Sequence, residues 1–317
     1  MAEKDMTEKA LEAYNDVFAD IVNNLIYNGE PVVKEDELEQ GRERSVYAGE
    51  KALREQERDT SKYWRKHEIR IAYFGIENET VPEDDMPLRV MGYDGAAYRD
   101  QICYEKGEDG ILRKTSVRYP VITLVLYFGY KKHWNKPLTL HEALGDSLDD
   151  KLKPFVSDFR INLFEIAYLT DEQLAGFKSD FWFVADYFVQ MQRTGTYKGS
   201  EREMKHVREV LQLLAVLADD RRFSDAIDYI TEHEKGKEIR TMSPVLDEIE
   251  HRGEVIKLIK QIIKKLILGK NEDLIAQELD EDPVRVNEIC SIAKGFAPDY
   301  DPRKIYDSLN NKVLVEA

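Results

Sequence analysis

Glu77-Asn78-Glu79-Thr80 follows directly on the apolar run Ile69–Ile76 (IRIAYFGI). Alternate residues of a strand share a face. Glu77 and Glu79 therefore point the same way at a strand end, about 7 Å apart along the chain. Two carboxylates on one face make half of a hard-cation site, because Mg²⁺ takes oxygen ligands and is usually held by one or two carboxylates plus substrate phosphate. Asp59 supplies a third carboxylate if residues 58–64 and 69–76 lie side by side. Asp16 and Asp20, four apart and so on one helix face, are candidates for a fourth. Each has an ordinary alternative: a Glu-x-Glu after a strand is commonly a solvated loop, and charge runs are commonly solvated helix faces.

The elements that must position these groups can be read from apolar periodicity. Residues 5–27 carry apolar side chains at three- and four-residue steps, from Ala10 and Leu11 to Leu25 and Ile26, which predicts a helix ended by Asn28-Gly29. Across residues 35–66 the pattern leaves two options open. Arg54, Arg58, Lys62, Lys66 and Arg70 recur every four residues, as on a helix face, yet the stretch can also end in a strand. Ile69–Ile76 reads as a strand, Met86–Ile102 as a helix weakened by Gly92 and Gly95, and Asn162–Tyr168 as another strand. Tyr119–Gly129 (YPVITLVLYFG) is apolar almost throughout, which fits a strand buried on both faces. Phe181–Met191 and Arg202–Ala218 read as helices. Beyond them no strand pattern occurs: Thr241–Leu268 is one long helix with Val255, Ile259, Ile262, Ile263, Leu266 and Ile267 along one side and Lys257, Lys260, Lys264 and Lys265 along the other. Asn271–Leu279 and Asp282–Ala293 follow as two short helices, the second with Pro283 in its first turn. The fold class is α/β: a mixed sheet flanked by helices, then an all-helical C-terminal region. The expected divisions are a domain over 1–195, a helical connector over 196–240 and a helical region over 241–317.

The composition narrows the function. The chain has 317 residues and a formal net charge of −16, with 42% hydrophobic residues, so it is globular rather than disordered. That acidic balance argues against non-specific coating of polyanions. No stretch approaches the roughly 20 apolar residues of a membrane span. The polar start Met1–Met6 reads as lacking a secretory signal, and Cys103 and Cys290 form neither a disulfide framework nor a CxxC pair, so a reducing cytoplasm is the expected compartment. There is no GxxxxGK[ST] loop, no GxGxxG after a strand, no GxSxG elbow and no zinc spacing among the six histidines.

Several ordered segments share a resemblance. Arg58-Asp59, Phe74–Thr80, Met86–Met91 and Tyr119–Gly129, together with Asp16–Asp20, Asn28-Gly29, Pro31–Val33 and Asn162–Ile166, resemble the transposase-like branch of the Rpn family of recombination-promoting nucleases. The similarity runs over about residues 8–195. It implies a restriction-endonuclease-like PD-(D/E)XK fold and a Mg²⁺-dependent DNA endonuclease, with Mn²⁺ as a substitute ion. It also implies Asp59 and Glu77 as metal ligands; Asp20, from its place on the first helix, is the candidate for a further carboxylate. The departure is at the third motif position, where that pattern has Lys and the Rpn family often has Gln; here it is Glu79. Lys62, three residues past Asp59, is the nearest substitute cation. Arg58, Arg65 and Arg70 are candidate phosphate contacts, and Tyr98 and Gln101 on the following helix are candidates to face the site.

The helix pair over 270–293 resembles a helix-turn-helix unit. A reading helix should carry several basic or amide residues, but this one offers Arg285, Asn287 and Lys294 amid Asp282 and Glu288. Protein packing, including self-association of this chain, is therefore weighed above DNA reading there. Three functions follow as expectations: a Mg²⁺-dependent nuclease acting on duplex DNA, an interaction protein that keeps the nuclease fold without cleavage, and a regulator binding DNA through its C-terminal helices.

Overall fold

The computed structural model describes residues 11–41, 44–48, 53–57, 59–67, 69–106, 110–114, 117–220, 222–224, 226–227 and 241–316. The chain falls into two compact units, Met1–Arg240 and Thr241–Ala317.

In the first unit the periodic segment read as one helix over 5–27 is broken. Leu11 and Glu12 are helical, Tyr14 is extended, and helix α1 runs Asn15–Ile26; residues 5–10 lie outside the described residues. The apolar periodicity buries Val17, Phe18, Ile21 and Val22. The carbonyl of Ala13, released at the break, accepts a hydrogen bond from the buried Lys62 Nζ at 2.7 Å.

The segment 35–66, open between helix and strand on pattern, begins with a 3₁₀ turn at Glu35–Glu37 and then carries strands β1 (Leu38–Gln40), β2 (Arg44–Ala48), β3 (Leu53–Glu57) and β4 (Thr60–Lys66). Strands β2 and β3 pair antiparallel with each other. Strand β4 pairs antiparallel with β1 on one edge and with β5 (Ile69–Glu79) on the other. That pairing on both edges overrides the four-residue spacing of basic side chains. At the β1 end Gly41 donates its N–H to the Ser61 carbonyl at 2.8 Å, and a Cβ at Gly41 would lie 2.8 Å from the Ser61 backbone carbon, so glycine is required by the close approach.

Helix α2 (Met86–Asp100), with Pro87 in its first turn, carries the chain from β5 toward β8 (Val121–Tyr127). The hairpin β6 (Tyr104–Lys106) and β7 (Leu112–Lys114) is inserted on the way. Strand β8 lies parallel to β5 and is buried on both faces, as its nearly continuous apolar run leads one to expect. Helix α3 (Leu140–Leu144) starts in a capping box between Thr139 and Glu142. Strand β9 (Asn162–Glu165) pairs parallel with β8 and then coils into a 3₁₀ turn at Ile166–Tyr168, shortening the strand expected over 162–168. The sheet order is β1-β4-β5-β8-β9, antiparallel on one side and parallel on the other: the expected mixed sheet. Helices α4 (Asp171–Gly176), α5 (Phe181–Thr194) and α6 (Val207–Leu217) follow. Asp180 accepts the backbone N–H of Lys205 and of His206, tying residues 205–206 to the start of α5; the stretch after 195 belongs to the first unit, which runs to residue 240.

The register fixes which side chains share a face. Gly75 lies opposite Thr123, Glu77 opposite Val125 and Glu79 opposite Tyr127. Thr123 Oγ1 donates to Asp94 Oδ1 on α2 at 2.6 Å, and Val125 packs with Met86 and Val90 of α2. Glu77 and Glu79 therefore stand on the α2 face. Asn78 stands on the opposite face, where its Nδ2 donates to Glu12 Oε2 at 3.0 Å.

The second unit is helical throughout its described residues: α7 (Met242–Ile267), α8 (Glu272–Leu279), α9 (Pro283–Lys294) and α10 (Pro302–Glu316). Its core joins Ile259 and Ile262 of α7 to Ile275, Val286, Ile289, Cys290 and Ile305. Ile267, read as part of the same apolar stripe, is exposed, and Lys257, Lys260 and Lys264 face solvent. Asn271 and Asp282 cap α8 and α9 through their side-chain oxygens.

Candidate active site

Three strand ends converge at one end of the sheet in the first unit. Strand β5 delivers Glu77 and Glu79 at its C-terminal end, and β8 ends alongside, with Phe128 donating its N–H to the Glu79 carbonyl at 2.8 Å. Strand β4 begins there, one residue after Asp59. Thr60 lies opposite Ile76, so the antiparallel pairing sets Asp59 beside Glu77, the side-by-side placement that a third carboxylate needed. Asp59 Oδ2 accepts the backbone N–H of Asn78 at 2.7 Å, which fixes its carboxylate against the strand between the two glutamates.

The arrangement contains a residue that the sequence did not single out. Arg89 sits in the first turns of α2, and its guanidinium spans the acids. Nη2 donates to Glu77 Oε2 at 3.0 Å, and Nη1 donates to Glu79 Oε1 at 3.0 Å and also to Glu83 Oε2. The signal for Arg89 was present but indirect. Pro87 fixes the start of α2, and the short loop after β5 has to set that start beside the strand end that carries the acids. No fixed spacing between the glutamates and the arginine announces the contact.

Burial shapes the electrostatics. The Glu77 side chain is 2% exposed and that of Glu79 16% exposed. Burial, opposed by Arg89 and reinforced by Glu83 and Asp59, pushes the Glu79 carboxyl up to about 7. Burial works against the charge on Arg89, but Glu77, Tyr93, Glu79 and Glu83 outweigh it and hold the guanidinium more firmly protonated than usual. Tyr93, also on α2, is pushed up to about 12 by burial and by Glu77.

The other residues expected at the site lie elsewhere. Lys62, offered as the substitute cation, is on the opposite face of the sheet. Its Nζ donates to Ala13 O at 2.7 Å, Asn15 Oδ1 at 2.8 Å and Gln40 Oε1 at 3.4 Å. Side-chain alternation along β4 is the reason: Lys62 shares a face with Thr60, opposite to the one on which Ser61 meets Tyr73. Asp20 does not join the acids. Its Oδ2 accepts the N–H groups of Lys178 at 2.8 Å and Ser179 at 2.7 Å, tying α1 to the turn before α5. Asp16 pairs with Lys205 Nζ at 2.7 Å. Arg65 pairs with Glu39, and Arg70 lies 4.1 Å from the centre of the Tyr63 ring. Both stand at the far end of the β4–β5 hairpin, roughly 20 Å along the strand from Asp59. Tyr98 accepts the N–H of Val121, and Gln101 pairs with the backbone of Tyr119, so both latch the start of β8, at the end away from the acids. Arg58 lies outside the described residues.

Basic groups do occur at the acid end, in the loop after β8. Residues 130–136 (YKKHWNK) hold three lysines and no acid. Lys131 and Lys132 are exposed, and Lys136 Nζ donates to Asp84 Oδ2 in the loop after β5 at 2.7 Å.

The donor set of Asp59, Glu77 and Glu79 is all carboxylate oxygen, the chemistry a Mg²⁺ site uses. Among the described residues no three His, Cys, Asp or Glu side chains are gathered as a ready-made metal cage, and the guanidinium of Arg89 takes the place between Glu77 and Glu79. The residues fit a hard cation in chemistry, provided the arginine gives way.

The first unit is thus a mixed α/β protein whose polar, pKa-shifted cluster lies at the C-terminal ends of parallel strands, the usual place for sites in such sheets. The family described as putative transposase, YhgA-like, matches residues 50–217, more than half of the chain, and the chain belongs to that family. No curated protein and no solved structure matches. No helix among the described residues is long and apolar enough to cross a membrane.

Proposed function

We propose that the chain is a Mg²⁺-dependent endonuclease that hydrolyses phosphodiester bonds in duplex DNA, in keeping with a family tied to DNA mobility. The observation that carries this reading is the meeting of Asp59 with Glu77 and Glu79 on one face at one sheet end, within the element order helix, three antiparallel strands, helix, parallel strand. Asp59 and Glu77 would hold the ion. Bound there, Mg²⁺ supplies charge neutralisation at a phosphate oxygen and a more acidic water. The N–H of Asn78 keeps the Asp59 carboxylate pointed at that place. Glu79, poised near neutrality, is the group on this face able to take up the proton of an attacking water. Lys131, Lys132 and Lys136 would contact the phosphate backbone and set the register of the strand without reading bases.

The test is cleavage of supercoiled plasmid with Mg²⁺ or Mn²⁺ by wild type, Asp59→Ala and Glu77→Ala, each checked for folding. Metal-dependent cutting that vanishes in both variants supports the reading. No cutting with either ion, together with no metal binding, rejects it.

A second reading has a specific observation behind it. Arg89 already neutralises Glu77 and Glu79, and the third motif position is an acid rather than Lys or Gln, as expected of a nuclease fold kept for binding partners after cleavage is lost. That protein would be fully folded, would bind no metal and would be indifferent to Glu77→Ala in partner binding.

A further inference from the structure

We propose that Arg89 is the built-in counter-ion of the acid cluster, the group that a divalent cation must displace to bind Asp59 and Glu77. The inference rests on the metal-site reading above and adds to it how the site is held before metal arrives.

Four carboxylates, from Asp59, Glu77, Glu79 and Glu83, surround this end of β5, and Arg89 pairs directly with three of them. Glu77 has almost no access to water, and a buried carboxylate without a counter-charge is strongly destabilising. Lys62 cannot serve, because the sheet lies between it and the acids and its ammonium is taken up by Ala13, Asn15 and Gln40. The planar guanidinium fork suits the task, since it donates to two carboxylates at once from fixed directions. A lysine in the same place would be a point charge serving one of them at a time.

The same geometry makes the clamp reversible. The Arg89 side chain is 35% exposed, so it has a way out to solvent, and Glu83 on the outer side is 45% exposed and can keep a hold on it after the inner contacts break. Metal and arginine therefore compete for the same oxygens, and the observed metal affinity is the intrinsic one reduced by the strength of the clamp.

The experiment is calorimetric titration of the full chain with Mn²⁺, for wild type, Arg89→Met and Arg89→Lys, alongside thermal unfolding in chelator and in excess Mn²⁺. Arg89→Met is expected to bind Mn²⁺ at least tenfold more tightly than wild type, and to unfold earlier than wild type in chelator but not in excess metal. Arg89→Lys keeps the charge and loses the fork, so its affinity should fall between the two. Equal affinity in all three proteins, or weaker binding by the variants, overturns the competition and leaves the metal site standing. No heat from any of the three, all folded, overturns the metal-site reading and the inference with it. If Arg89→Met does not fold, Arg89→Lys decides: affinity equal to wild type overturns the proposal.

Discussion

The two faces of the sheet at this one end each hold a cation, and they treat it differently. On the α1 face Lys62 is 2% exposed and donates to one backbone carbonyl and two side-chain amides. These three acceptors are neutral, and Asn15 passes the connection on by donating to the carbonyls of Glu35 and Leu38. That network closes the helix break at Ala13 and fastens α1 to β1. On the α2 face Arg89 keeps a third of its side chain in solvent and meets acids that outnumber it. A cation sealed in a closed pocket and held by a backbone carbonyl and two amides is a structural tie. A cation among excess carboxylates at an open edge is a site held in balance, which another positive charge can shift. Elements of one sheet end thus supply a closed tie on one face and, on the proposed reading, the reactive acids on the other, and substitutions should separate the two.

The largest separation is expected in cleavage. Asp59→Ala or Glu77→Ala should reduce metal-dependent cutting by about 10³-fold or more, a loss of about 4 kcal/mol of transition-state stabilisation, with near-wild-type urea unfolding. Lys62→Met should do the reverse. It strips the donor from three acceptors and is expected to cost about 3 kcal/mol of stability, while cutting per folded molecule stays unchanged. A Lys62 variant that folds normally and fails to cut would break the division between the faces.

A smaller effect of opposite sign comes from Glu79. Its raised pKa means that the ionised form is less favourable in the folded than in the unfolded chain. Stability from this group is therefore fully present at low pH and is lost as pH rises through the folded value near 7. Glu79→Gln removes that loss. At pH 8 it should unfold later than wild type by about 1–2 kcal/mol in urea titration, and the gain should disappear by about pH 5. A destabilised Glu79→Gln would mean that the ion pair with Arg89 outweighs burial, and would place Arg89 closer to Lys62 as a structural tie.

The sequence carried the strands better than the cluster between them. The nearly continuous apolar run of β8, rich in β-branched residues, fits an interior strand, and Glu77-x-Glu79 at the end of β5 follows from two-residue alternation. The same alternation, applied to β4, would have put Lys62 on the wrong face for catalysis, but β4 itself was hidden by basic residues at four-residue spacing. The strand is specified by its pairing with β1 and β5, which no local pattern records. Arg89 escaped for a related reason. Its partners lie 10 and 12 residues back across a loop and a helix start, so only the folded path of the chain brings them together. Arg65 and Arg70 show the converse: nearness in sequence to Asp59 and Glu77 means little when an antiparallel hairpin carries them to the far end of the sheet.

The smallest effect concerns how substrate would reach the reactive face. Long-range attraction of DNA to a chain of net charge −16 is unfavourable, so binding depends on where exposed lysines cluster without acids. Lys131 and Lys132 are exposed in the loop after β8, at the same end of the sheet as Glu79, whereas Lys62 is buried on the α1 face. Lys131→Ala and Lys132→Ala should each weaken duplex binding uniformly across sequences and reduce the slope of log affinity against log salt by about 1. Neither should alter Mn²⁺ binding, and unfolding should change little, since both side chains are exposed and Lys131 lies only over the Tyr130 ring at 5.6 Å. Fluorescence anisotropy with a labelled duplex over a range of salt concentrations measures the slope directly. If both variants keep the wild-type slope while Lys257→Ala or Lys260→Ala on α7 reduces it, duplex contact lies in the helical second unit, and the exposed loop beside the acids has no part in positioning the phosphate backbone.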